Sequence, residues 1–256
     1  MNVKRFSFWV TCAILIFFYL PVLMLMVTSF NDSRFGGLWK GFSLKWYYQL
    51  FAEENLWSSV KNSLIIGISA TVVSSILGTL AALSLYRYRS ALQKAHYGLV
   101  YTPLVVPDIL MGISLLLFFV TVHLQLGLFT IFVAHTTFCL SYVTFVILGR
   151  LQTLDYALIE AAEDLGANYW QIFWRVKLPQ LFPAILSGAL LAFTLSIDDF
   201  VITFFVAGPG STTLPIYIYS LMKFGSTPII NALSTLLIVA TFAIVWIVQT
   251  TTKEQK

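Results

Sequence analysis

Charge is what this chain has least of. Only 10% of its residues are charged and 59% are hydrophobic, whereas an ordinary soluble domain carries about 25% charged residues. So few charges cannot cover a water-facing surface, and most of the chain must have lipid as its solvent. The net charge of +4 is spread over short segments with no basic run, which argues against a nucleic-acid partner. Cysteine is nearly missing. Cys12 and Cys139 both lie in apolar runs and read as packed, reduced thiols, not as a disulfide framework or a metal motif. His96, His123 and His135 are scattered and form no ligand cluster, which leaves no basis for a metal enzyme. The phosphate-loop pattern G-x-x-x-x-G-K-[ST] is absent, so this chain does not hold ATP in the usual way.

What the chain has in abundance is apolar length and aromatics, with 22 Phe, 12 Tyr and 7 Trp, as lipid-facing and interfacial surfaces favour. Windows of about 20 apolar residues fall on six stretches: Phe8–Ser29, Asn62–Leu85, Gly98–Val122, Leu126–Leu148, Ala184–Val206 and Ile229–Thr250. Each is long, continuous and not alternating, so helices are expected and barrel strands are not. Pro21, Gly78, Pro103 and Pro107 inside these stretches are tolerated where neighbouring helices satisfy the freed backbone groups. The start, "MNVKRF" and its apolar run, resembles a signal peptide. It continues to about Ser29 without a small-residue cleavage site and is expected to stay as an uncleaved first helix.

Basic residues set the orientation. With the N-terminus inside, Lys4, Arg5, Arg87, Arg89, Lys94, Arg150, Arg175, Lys177, Lys253 and Lys256 face the cytoplasm, while Arg34, Lys40, Lys45, Lys61 and Lys223 lie outside. This asymmetry, with an even number of spans, predicts both termini inside. Two connecting pieces are too long to be turns. The outer one, residues 30–61, carries Trp46, Leu50 and Trp57 near helical spacing beside Glu53 and Glu54. An amphipathic helix lying on the outer membrane surface is expected there.

The inner piece, residues 150–183, reads "RLQTLDYALIEAAEDLGANYWQIFWRVKLPQLFP". Leu154, Ala157, Leu158, Ala161 and Ala162 make one apolar side of a first helix, with Asp155, Glu160, Glu163 and Asp164 on the wet side. Gly166 is the expected left-handed cap. A second short helix follows, with Asn168 as N-cap and Pro179 as the stop. Two short helices around a glycine make a knob that a partner protein's groove can receive; a passive amphipathic connector is the plainer alternative.

These residues carry a family resemblance. Glu160, Ala161 and Ala162, then Gly166, then Leu178 and Pro179, with Val176 where isoleucine is usual, resemble the EAA signature of ABC-importer permease subunits. The six-span pattern with this loop between the fourth and fifth spans, and the stretch "NSLIIGISATVVSSILGTLAALSLYRY" from Asn62, are similar to the same family, so the likeness covers nearly the whole chain. It implies an all-α membrane protein with the type I importer permease (MetI-like) fold, N-in and C-in, as one permease domain over residues 1–256. It implies that Glu160, Ala161, Ala162, Gly166, Leu178 and Pro179 form a coupling element seated in a cleft of a homodimeric cytoplasmic ATPase. ATP and Mg would then belong to that ATPase, with no cofactor here. A second, related permease would complete the path as a heterodimer, fed by a periplasmic binding protein, in a bacterial inner membrane.

The few charges inside the spans are acidic. Asp108 is the only charged residue between Lys94 and Arg150, and Asp198 and Asp199 stand alone between Lys177 and Lys223. Asp108 and Asp198 fall roughly 15–20 Å from the cytoplasmic end at about 1.5 Å per residue, near mid-membrane. With no basic residue assigned to any span, such carboxylates are best explained by a cation that comes and goes, or by a base on a partner. Neighbouring helical residues point about 100° apart, so Asp198 and Asp199 cannot both face a path unless the helix breaks. One would line the path and the other would cap a break or pair across an interface. Beyond them, "AGPGSTTLPIYIYSLMKFGSTP" offers Tyr217, Tyr219 and Phe224 around Lys223. Tyr217 and Tyr219 are candidate path residues for an alkylammonium. Tyr219 and Lys223 are candidates for a gate, or else plain interfacial anchors.

"SIDDFVITFFVAGPGSTTLPIYIYS" and "PLVVPDILMGISLLL" resemble the spermidine/putrescine importers, specifically the second of their two permeases. That resemblance implies a polyamine cargo and a polyamine-binding protein outside. A permease for another solute of the same family, or an ion-coupled secondary transporter using Asp108, Asp198 and Asp199, are the alternatives. The short chain, the lack of an inverted repeat and the EAA loop weigh against the latter. An intramembrane aspartyl protease lacks its glycine–x–glycine–aspartate pattern here.

Overall fold

A computed structural model describes residues 3–33, 38–87, 91–155, 157–223, 225 and 227–253. Arg34, Arg89, Phe224 and Lys256 lie outside the described residues, as does Tyr156 of the inner piece. The described chain is helical, with one isolated β-bridge pairing Asn31 with Phe42. In order it forms α1 (Val3–Thr28), α2 (Lys45–Ala52), α3 (Glu54–Arg87), α4 (Ala91–Val105), α5 (Asp108–Thr121), α6 (Leu128–Leu151), α7 (Ala157–Asp164) and α8 (Tyr169–Ile172). A π-helical turn over Phe173–Lys177 leads into α9 (Leu178–Asp198), followed by α10 (Val201–Val206), α11 (Leu214–Lys223) and α12 (Thr227–Lys253).

Every expected apolar window lands on helix, but two are broken. Among the described residues, Phe6–Thr28, Glu54–Arg87, Leu128–Leu151 and Tyr169–Asp198 are long and apolar enough to cross a membrane. The third window is not one straight helix: α4 and α5 meet at 115°, together making a fifth candidate. Pro107 is the cause. In a continued helix its ring would clash with the carbonyl four residues back, and it disfavours helical geometry at Val106; Pro107 itself is extended at φ −56°, ψ 138°. Pro21 and Pro103, by contrast, sit inside α1 and α4 without ending them. The fifth window breaks at Asp199, extended at ψ 118°, before the short α10. The sixth falls on α12.

The chain packs as two compact units, residues 1–57 with 217–256, and residues 58–216. In the first, α1 and α2 both pack on α12. Asn231 donates to Thr28 Oγ1 across α12 and α1 at 3.1 Å. The expected amphipathic helix forms, but over a shorter stretch: Trp46 and Leu50 are on α2 and Trp57 is not. α2 is only eight residues long; it buries Trp46 and Leu50 and leaves Tyr48 and Phe51 exposed. Trp57 belongs to α3, because the chain turns extended at Glu53. The segment before α2 is tied down by side chains. Trp46 Nε1 donates to the Asn31 carbonyl at 2.8 Å, and Asn31 Oδ1 accepts from the Ser33 and Lys40 amides. Lys45 pairs with Asp32, and its hydrogen bond holds that carboxyl below the ordinary carboxylate value.

In the second unit α6 is the buried axis. It shows no apolar stripe, being hydrophobic all round, and such a helix belongs in a core. Ile131, Ala134, Cys139, Val143 and Ile147 are fully enclosed, packed mainly by α9 and also by α4 and α10. Without a hydrophobic drive between helices in lipid, close approach over small residues supplies the attraction. Gly78 of α3 is such a point: a Cβ there would stand 2.8 Å from Val143 Cγ1 and 3.1 Å from the Leu140 carbonyl. Val143 is β-branched and enclosed, so it has little room to yield.

Gly78→Ala is therefore expected to overpack this contact and destabilise the protein by about 1–3 kcal/mol, read as a lowered thermal midpoint in detergent. Gly98→Ala is the control, because nothing lies within 4 Å of its Cβ position. Equal midpoints for the two variants would refute the close-packing assignment.

Candidate functional site

The two helix breaks of the second unit bring the intramembrane carboxylates together. α5 starts at Asp108, α9 ends at Asp198, and α10 begins just after Asp199. α5 and α10 pack against one another and α9 packs on α6. Asp108, Asp198 and Asp199 consequently line one cleft of about 270 Å³, with Phe138, Tyr142 and Phe200 among its aromatic walls.

The two neighbouring aspartates do different work. Asp199 is half-buried and accepts four hydrogen-bond contacts at the start of α10. The Ile202 amide reaches its Oδ1 at 3.3 Å, while the Thr203 amide at 2.8 Å and hydroxyl at 2.7 Å reach its Oδ2. The fourth is from the Thr203 hydroxyl to the Asp199 carbonyl at 3.2 Å. It acts as an N-cap, satisfying amides that the break frees. Asp198 and Asp108 are exposed to the cleft and make no hydrogen bond or ion pair among the described residues. The capping share of the expectation falls on Asp199, and the unengaged carboxylates are Asp198 and Asp108.

One expectation fails. The spans do hold an ionisable base, His135, fully buried in the middle of α6. Its Nε2 lies 2.8 Å from Thr203 Oγ1 and 3.3 Å from Asp199 Oδ2, and its Nδ1 lies 2.7 Å from Ser196 Oγ. Counting only lysine and arginine hid it. A lone histidine at the centre of an apolar run is itself costly without a partner, and that signal was in the sequence. Phe138 and Tyr142, three and seven residues further along α6, were also missed as cleft residues. Their spacing is that of one helix face.

Tyr217, Tyr219 and Lys223 lie on α11 and belong to the other compact unit from Tyr217 onward. Tyr217 is buried, Tyr219 is 40% exposed, and Lys223 is exposed in the last turn. The Gly- and Thr-containing segment before α11 is anchored to α3. Asn62 donates to the Gly210 and Thr212 carbonyls at 3.3 and 3.0 Å, and Ser63 Oγ accepts from the Leu214 amide at 2.8 Å.

The knob forms as expected up to a point. α7 ends in a Schellman motif: Gly166 is left-handed at φ +77°, its amide reaches the Glu163 carbonyl, and the Ala167 amide reaches that of Ala162. Asn168 and Gln171 cap α8 reciprocally, at 2.9 and 2.8 Å. The inward face differs from the expected one. Leu154 and Ile159 are buried and Ala162 is half-buried, while Ala157, Leu158 and Ala161 are exposed. Glu160 is exposed with them, as are Leu165, Trp170 and Trp174. Pro179 does not stop the helix. The π-turn widens the ladder so that the Leu178 amide bonds the Phe173 carbonyl, and a proline at the first turn of α9 forfeits no amide that the ladder needs. α8, the π-turn and α9 thus run on as Tyr169–Asp198. Leu178 is half-buried and Pro179 exposed at this junction. The knob is also held to the end of α3: Arg87 donates to the Tyr169 hydroxyl at 2.9 Å and lies 5.1 Å over its ring. A cleft of about 400 Å³, lined by Arg87, Tyr169, Glu163 and Lys177 among others, opens beside this contact.

A carboxylate cleft at paired helix breaks, joined by one rod to an exposed knob, is the architecture of a membrane transport subunit. Residues 74–252 match the family described as the binding-protein-dependent transport system inner membrane component, and the chain belongs to that family. It is a multi-pass membrane protein with the all-α, MetI-like permease fold. Among curated relatives, it is 42% identical over 238 residues to the spermidine/putrescine transport system permease protein PotC of Haemophilus influenzae, covering 93% of each chain. It is 45% identical over 229 residues to the putrescine transport system permease protein PotI of Escherichia coli, covering 87% of this chain and 82% of that one. A solved bacterial ABC transporter involved in import of the acidic polysaccharide alginate shares the fold at a TM-score of 0.75 and 16% identity, over 98% of both chains.

The division of labour predicts a stability contrast. Asp199→Ala removes the cap and should destabilise the protein by about 0.5–2 kcal/mol, whereas Asp198→Ala should leave the thermal midpoint in detergent unchanged. The reverse order of midpoints would overturn the assignment of Asp199 as the cap.

Proposed function

We propose that this chain is the permease subunit of an ATP-driven polyamine importer in a bacterial inner membrane. It would form half of the path with a second, related permease. Outside, a polyamine-binding protein would deliver the cargo; inside, a homodimeric ATPase holding ATP and Mg would bind the knob. The observation that carries the cargo assignment is the cleft itself. Asp108 and Asp198 present free carboxylates beside Phe138, Tyr142 and Phe200. A polyamine needs this pairing: ion pairs for its ammonium groups and apolar or aromatic faces for its methylenes, with cation–π attraction of about 0.5–2 kcal/mol per contact. The names of the two similar proteins from Haemophilus influenzae and Escherichia coli support the same cargo. Tyr219 and Lys223 are assigned to the outer gate, and Tyr217 to the path near it. The coupling residues are Glu160, Ala161, Ala162, Gly166, Leu178 and Pro179, whose exposed neighbours Leu158, Leu165 and Trp170 provide an apolar docking surface.

Uptake of labelled spermidine into vesicles holding the assembled complex tests the reading. Uptake should require ATP hydrolysis, and Asp108→Asn and Asp198→Asn should each lower it about tenfold or more, the loss of a charged partner being worth roughly 1.5–3 kcal/mol. Assembly should be intact in both. Uptake without ATP hydrolysis would instead support an ion-coupled carrier, and normal uptake by both variants would remove the cleft from the path.

Coupling gives a separate expectation. Gly166→Ala places a side chain in the left-handed region, at about 1–2 kcal/mol, and should loosen the cap that shapes the knob. Cargo-stimulated ATP hydrolysis should fall while the protein remains in the membrane. Unchanged stimulation would argue against a docking role.

A further inference from the structure

We infer that His135 is a positioning residue for the cargo cleft: a neutral imidazole, protonated on Nε2, that clamps the two halves of the broken helix α9–α10 and fixes Asp199. The inference rests on the proposed polyamine path for its transport consequences, but its structural content is independent of the cargo.

The clamp follows from where the ring's two nitrogens point. Ser196, bonded to Nδ1, stands in the last turn of α9, two residues before Asp198. Thr203, bonded to Nε2, stands in α10 beyond the break. The ring comes from α6, the enclosed axis of the unit, and is itself 1% exposed. One rigid side chain therefore bridges both sides of a gap that has no continuous helical ladder.

A proton count fixes the tautomer. The Thr203 hydroxyl has one proton, and its shorter contact is with Asp199 Oδ2 at 2.7 Å, an oxygen that only accepts when ionised. Thr203 Oγ1 is then an acceptor toward His135, so Nε2 carries hydrogen, and that same N–H lies 3.3 Å from Asp199 Oδ2. Ser196 Oγ has Nδ1 as its partner among the described residues. Its proton is satisfied if it donates to an unprotonated Nδ1. Every side-chain polar atom of the quartet Ser196, His135, Thr203 and Asp199 is paired in this state. An imidazolium would leave the Ser196 proton without an acceptor in an enclosed site, where unpaired donors are expensive.

Fixing Asp199 has a consequence for its neighbour. With Asp199 held toward α10 and His135, Asp198 is turned into the cleft with Asp108. Loss of the clamp lets the break relax and the two carboxylates exchange roles, which weakens the cation site without removing any residue that touches cargo.

Glutamine and methionine have similar length and volume, and only glutamine can donate where Nε2 does. His135→Gln should keep spermidine uptake by the assembled complex within about threefold of the parent, whereas His135→Met should raise the half-saturating concentration roughly tenfold or more, as expected for a lost buried hydrogen bond. Equal uptake by the two variants, whether high or low, would overturn the positioning role, because packing alone would then account for the histidine. Nitrogen-15 histidine spectra of the same complex, with the His135 signal identified by its loss in His135→Gln, read the second part directly. A protonated Nε2 with a bare Nδ1 is expected; an imidazolium or an Nδ1–H tautomer would overturn it. If the parent complex moves no polyamine at all, the cargo assignment falls, while the spectra still decide the clamp.

Discussion

A helix that breaks inside lipid leaves backbone amides with no water to take them, and each must find a partner within the protein. In this chain that constraint is met at Asp199. Its carboxylate accepts the Ile202 and Thr203 amides at the start of α10, and His135 stands against the same oxygen. The rest of the second unit is arranged around that solution. Because α10 can begin there, it packs on α5. Because α5 itself starts at a proline break, Asp108 arrives at the same level as Asp198. The cleft is thus a product of two discontinuities that capping makes tolerable.

Charge placement and fold are consequently one problem here. A path for a cation needs carboxylates in mid-membrane, where an unengaged charge is least welcome. The chain keeps one carboxylate fully engaged in structure and leaves two open to the cleft. The engaged one shapes the site, and the open ones give it chemistry. The same economy is visible at the knob, where Leu154 and Ile159 hold it inward and Leu158, Leu165 and Trp170 are left on the outside.

Much of this was legible in the residues alone. Apolar length located the helices, and Gly166 and Asn168 marked their caps because those roles depend on local backbone geometry. The 100° separation of adjacent side chains already implied that Asp198 and Asp199 would divide two roles. What was not legible depended on tertiary pairing. Nothing local says that His135 meets Asp199 sixty-four positions away, or that the Trp46 ring reaches back to the Asn31 carbonyl. Prolines were ambiguous for a related reason. Pro103 is absorbed, Pro107 breaks its helix and Pro179 is accommodated by a wider turn, and the outcome depends on which carbonyls the surroundings can satisfy.

That wider turn has a consequence for direction. A π-turn holds one more residue than an α-helical ladder would place in the same rise, and one residue corresponds to about 100° of rotation. The five residues Phe173–Lys177 therefore set the azimuth of all of α9 relative to the knob. Twenty-one residues of α9 then carry that azimuth without interruption to Asp198, a reach of about 30 Å. The bearing on which the carboxylate points is thus set from both ends of the rod, by the π-turn beside the knob and by the His135 contacts at the break.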